Sequence, residues 1–94
     1  MGSESGTASA AAAVAITISN FEYKVPTSVA PGAEVTVTNM DTAEHTVTAD
    51  DASSFDVEVK ENGGTATFAA PSQPGTYAFH CKYHSNMHGT LTVK

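Results

Sequence analysis

The chain has no arginine, and its four lysines are outnumbered by ten aspartates and glutamates, giving a formal net charge of -6. Phosphate binding needs a basic footprint, so nucleic acid is excluded as a partner and a basic or apolar protein surface is expected instead. Cysteine occurs once, at Cys81, which rules out an internal disulfide and leaves cysteine usage silent about compartment. No apolar run reaches the roughly 18 residues of a membrane span, so no integral membrane segment is expected. No helical stripe, internal repeat or second composition block interrupts the 94 residues. No Ser-His-Asp set, phosphate loop or close acidic pair suggests an enzyme.

What is present is alternation with period two. Val14, Ile16 and Ile18 alternate with Ala and Thr, and Val35 and Val37 with Glu34, Thr36 and Thr38. Phe55, Val57 and Val59, then Ala66 and Phe68, then Leu91 and Val93 repeat the pattern, as half-buried strands do. Turn formers fall between these runs: Pro26, Pro31-Gly32, Asn62-Gly63-Gly64, Pro71 and Pro74-Gly75. Seven to eight short strands with no crossover helix predict an all-β, mainly antiparallel Greek-key sandwich. Residues 1–11 are too small and polar to offset the entropy of ordering them, and read as a flexible leader or linker; residues 12–94 read as one domain. A core this small gains noticeably from a bound metal that ties distant strands together.

The chemistry is concentrated near the C-terminus. In Phe79-His-Cys-Lys-Tyr-His-Ser-Asn-Met-His-Gly, Cys81, His84 and Met87 bring a thiolate, an imidazole and a thioether into one short segment. Soft sulfur donors favour Cu(I) and imidazole suits both oxidation states, so copper is the metal this set suits best. Two His, one Cys and a distant axial Met make a blue-copper electron-transfer site, and the segment lacks only the second His. His45 is the upstream candidate, because it opens a strand-like stretch. Tyr77, Phe79 and Cys81 share one face of a strand, which ends an inward aromatic row on the thiol; His80 then points to the opposite face and is not expected to be a ligand. His88 reads as a residue of the loop rim.

The stretch Tyr77-Ala-Phe-His-Cys-Lys-Tyr-His-Ser-Asn-Met-His-Gly-Thr-Leu-Thr-Val resembles the copper loop of the cupredoxins. Its short Cys-x2-His-x2-Met spacing is most similar to the amicyanins, plastocyanins usually having longer loops. Thr38-Asn-Met-Asp-Thr-Ala-Glu-His-Thr-Val is similar to the family's Asn-x5-His segment. The resemblance spans about residues 14 to 94. It implies a cupredoxin-like domain with one type 1 copper, His45, Cys81 and His84 equatorial, Met87 axial, and Asn39 as a supporting residue. It also implies a monomeric, exported, periplasmic or extracytoplasmic electron carrier, docking redox donor and acceptor proteins near His84. Tyr83 and Ser85 stand where amicyanins place prolines around the second His.

Export is not written in the sequence itself. Residues 8–16 are mostly Ala without the basic flank of a signal peptide, and Gly6 stands where a myristoylation signal needs Ser or Thr. Met1-Gly2-Ser3 reads as an expression scar, and it is the resemblance that implies an exported protein after signal removal, or one tethered to a membrane through a leader. Asn39 has a second reading as a plain turn residue. The carboxylates of Asp41, Glu44, Asp50, Asp51, Asp56 and Glu58 read either as a solvated face or as a docking surface for a basic partner. Three rival readings stand beside this one: copper storage or delivery by the same four donors, a zinc structural site of Cys81 with three His, and a metal-free adhesive sandwich.

Overall fold

The computed structural model describes residues 14–94; the leader expected over residues 1–11 lies outside them. Among the described residues there are eight strands and no helix: β1 (Val14–Ser19), β2 (Glu22–Lys24), β3 (Glu34–Asn39), β4 (His45–Ala49), β5 (Asp56–Val59), β6 (Gly64–Ala69), β7 (Gly75–Cys81) and β8 (His84–Val93). They form two four-stranded sheets in the orders β2-β1-β3-β6 and β5-β4-β7-β8. The chain crosses between sheets after β3, returns after β5 and crosses again after β6, which is the Greek-key sandwich the alternation predicts. One pairing is parallel, β1 with β3, and the others within the sheets are antiparallel.

The inward rows are the apolar positions of the alternating runs: Ile16 and Ile18, Val35 and Val37, Val59, Phe68, Phe79, Leu91 and Val93 are all buried. Removing each such aliphatic side chain from water contributes about 1.5–3 kcal/mol, so these rows hold the two sheets together. Phe79 fixes a neighbour. A Cβ on Gly89, its partner across β7 and β8, would lie 2.4 Å from the Phe79 ring, so only glycine leaves room for that ring.

At one end of the sandwich the regular β7–β8 ladder breaks. His80 pairs with His88, but the next rung joins Cys81 to His84, so Ser85, Asn86 and Met87 bulge from β8 with no partner. The segment that reads as a loop is therefore strand from His84 onward, and the connecting turn shrinks to Lys82 and Tyr83. Such bulges re-aim side chains, and this one brings His84 back beside Cys81 while Met87 stays buried.

Candidate metal centre

Three strand ends converge where the ladder breaks. β4 begins at His45, β7 ends at Cys81 and β8 begins at His84. Cys81 Sγ lies 3.4 Å from His84 Nδ1 and 3.8 Å from His45 Nδ1. One donor atom from each of the three residues falls within 4.8 Å of the others, close enough to share an ion. His45 and Cys81 are buried and His84 is half-buried, so the cluster sits just under the surface. Met87 is buried in the same apolar core as Cys81, one bulge away along β8.

The arrangement around His45 selects its tautomer. Its Nε2 is 2.8 Å from Asp41 Oδ2, and a carboxylate only accepts, so Nε2 carries the proton and donates. Nδ1 is then left with a lone pair on the side facing Cys81. The orientation of a ligating imidazole is set in this way by the hydrogen bond at its other nitrogen. The donor set thus fits a soft or borderline cation: a neutral imidazole aimed inward, a second imidazole, and a buried thiol in need of compensation if ionised.

Asp41 is one of the carboxylates that read as a solvated face or a docking surface, and the structure corrects both readings for it: its side chain is only 11 % exposed. Sequence spacing gave no warning, because residues four apart meet on a helix and this segment is a loop. Asp41 also accepts the backbone N–H groups of Asn20, at 2.7 Å, and Phe21, at 2.9 Å. Burial alone would raise its carboxyl, but the bonds from Phe21, His45 and Asn20 outweigh that and hold it below its ordinary value.

Asn39 ends the inward row Val35, Val37 and braces the same loop. Its Nδ2 donates to Ala43 O at 2.9 Å and to Val59 O at 3.0 Å, and its Oδ1 accepts from Asp41 N at 2.9 Å. Those bonds favour the supporting reading of Asn39 over that of a plain turn residue. The expected turn at Asn62-Gly63 packs here as well, through Asn62 N to Asp41 O and Gly63 N to Asn39 O.

Phe21 is the residue the sequence did not reveal. It sits with Asn20 in the two-residue turn between β1 and β2, where both have positive φ, 53° and 60°. Hairpin turns with two such residues favour Asn-Gly, and a bulky side chain at the second position is strained. The ring nevertheless meets both imidazoles edge-on, with centroids 5.1 Å from His45 and 4.9 Å from His84. Breaking a local rule at such a position is what a functional constraint produces.

On the other flank, Lys82 N donates to Thr46 Oγ1 at 2.9 Å and Lys82 Nζ pairs with Asp56 at 3.0 Å. The Tyr83 hydroxyl donates to Glu58, which pushes its pKa up to about 12. The turn between Cys81 and His84 is thereby fastened to β5. Tyr23 donates to Thr46 O at 2.6 Å and its ring meets Phe79 edge-on; burial, then the nearby Cys81, raise its hydroxyl strongly. His80 does point away from the cluster, toward Asp50, and His88 is exposed.

The family model of the cupredoxin-like domain matches residues 1–93. No curated protein matches. Among solved structures, a reduced Cu(I) form of a proline-to-glycine amicyanin mutant at pH 4 is 25% identical, with 87% of this chain and 82% of that one covered at a TM-score of 0.70. The Cu(I) form of a methionine-to-alanine amicyanin mutant is 26% identical, with the same coverage and a TM-score of 0.71. An oxidized proline-to-alanine amicyanin mutant gives 25%, the same coverage and 0.71.

Proposed function

The chain belongs to the cupredoxin-like family, and from that premise we propose that it is a small electron carrier, not an enzyme, with one type 1 copper held by His45, Cys81, His84 and Met87. When bound, copper supplies a one-electron Cu(II)/Cu(I) couple in which no substrate bond is made or broken. The observation that carries the reading is the approach of both Nδ1 atoms to one buried thiol, at 3.4 and 3.8 Å. His45 and Cys81 come from strand ends fixed by the core, and His84 from a turn fastened to β5, so the donors change position little between oxidation states. Met87, buried in the same core as Cys81, would hold the metal as a weak thioether donor.

Electrons leave through the half-buried His84. Phe21, Met40 and Tyr83, the large hydrophobics most exposed among the described residues, all belong to this end of the molecule. Phe21 touches both imidazoles, Tyr83 lies between two donors, and Met40 joins Asn39 to Asp41. A redox protein docks on such an apolar patch without desolvating ions, while the net negative charge elsewhere steers a basic partner. The carrier acts as a monomer in an extracytoplasmic compartment.

An absorption spectrum after adding Cu(II) tests the reading. An intense blue band is expected, lost in Cys81→Ser with the β-sheet circular dichroism retained; copper bound without colour overturns it. Copper storage uses the same donors and the same colour, and slow electron self-exchange would favour it over the carrier.

A further inference from the structure

The four histidines divide into two pairs on opposite sides of one sheet. His45 and His84 face inward, toward Cys81. His80 and His88 are directly opposed across β7 and β8, on the last regular rung before the ladder breaks. Residues so opposed in an antiparallel pair project from the same face, with Cβ atoms about 4.5–5.5 Å apart. Cys81 and Met87 adjoin them in sequence and are buried, so by alternation this face is the outer one.

On that face the row continues as Asp56, Thr48, His80, His88 across β5, β4, β7 and β8. Asp50, from the end of β4, reaches over so that its Oδ1 is 2.6 Å from His80 Nδ1. The side chains of His80 and Asp50 are 34% and 54% exposed, open to solvent and its ions. Because the carboxylate only accepts, Nδ1 carries the proton and Nε2 is left with a free lone pair. This repeats, in the open, the device by which Asp41 presents His45. Asp56 is already satisfied by Lys82 and Thr48. With Asp56 balanced by Lys82, the carboxylate of Asp50 is the charge left on this face, and it draws cations.

We propose that His80 and His88 form a second, outer site for a divalent transition-metal ion of the Cu(II) or Zn(II) class, with Asp50 orienting His80. Two imidazoles on opposed strands make a chelate that needs no rearrangement of the backbone, and imidazole is the donor these ions prefer. Solvent completes the coordination, so the ion exchanges freely. The outer site is joined to the inner one by the bonds His80–Cys81 and Met87–His88, and it stands whether or not the inner cluster holds copper.

Titration of the protein with Cu(II) beyond one equivalent tests this, followed by calorimetry and electron paramagnetic resonance. A second equivalent should bind without adding blue absorption and with the signal of ordinary tetragonal copper. His80→Gln and His88→Gln should each weaken it about a hundredfold, as expected when a chelate becomes a single contact, with the blue band unchanged. Asp50→Asn should weaken it about tenfold. Binding of only one equivalent, all of it blue, overturns the proposal, as does a second equivalent that persists unchanged in both histidine variants. If no blue band forms but one equivalent binds and is lost in His80→Gln, the carrier reading fails and the outer site stands.

Discussion

Asp41 and His45 are joined by a 2.8 Å hydrogen bond in which the fully buried imidazole donates from Nε2 to the carboxylate. The bond fixes the ring and makes Nδ1 a stronger donor, which favours the more highly charged Cu(II). Asp41→Asn should therefore lower Cu(II) affinity about tenfold and raise the reduction potential. Competition with a chelator and a voltammogram measure both, and an unchanged potential would show that Asp41 only packs.

The same carboxyl gives the metal-free protein an acid-sensitive step. Its folded-state value lies below the ordinary 3.8. A depressed value contributes stability that is fully present above the unfolded pKa and lost as pH falls through the folded one. Stability should decline below about pH 4, and less steeply in Asp41→Asn. Denaturation curves at pH 7 and pH 3 decide this; parallel losses in both proteins would assign the acid sensitivity elsewhere.

Phe21 contributes by its ring and costs by its backbone. Phe21→Ala should lose about 1 kcal/mol of edge-on aromatic contact with His45 and His84. Phe21→Gly loses the ring as well but relieves the left-handed strain, so it should be about 1 kcal/mol more stable than Phe21→Ala. Urea melts compare the two. Both variants should release copper to a chelator faster than the wild type, and unchanged release would mean the ring shields nothing.

Met87→Leu should keep the blue colour, since the three strong donors remain, and should raise the potential by removing weak donation that favours Cu(II). One copper titration and one voltammogram read this out. Loss of all copper binding would make Met87 a principal ligand or a packing keystone.

Docking can be separated from steering by two variants. Asn86→Lys places a charge of the partner's own sign beside His84, where it must also be desolvated on contact, and should slow transfer to a basic redox partner at every salt concentration, whereas Asp51→Asn should mainly flatten the salt dependence. Equal, salt-independent rates for wild type and both variants would remove the docking surface proposed here.

Local chemistry makes much of this protein legible in its sequence. Period-two alternation marks the buried rows because a strand turns every second side chain inward, so Ile16, Val37 and Phe79 could be placed one residue at a time. Cys81, His84 and Met87 stand within seven residues, and that spacing already carries a choice of metal. Folding in three dimensions decided what spacing does not encode. The parallel pairing of β1 with β3, the two-residue turn ahead of His84, and the placing of Phe21 over two imidazoles depend on how separate segments pack. Asp41 shows the reason most clearly. As a letter in the chain it is one of several loop carboxylates, and only the fold, by burying it against His45 and the backbone of Asn20 and Phe21, turns a solvated charge into the partner of a metal ligand.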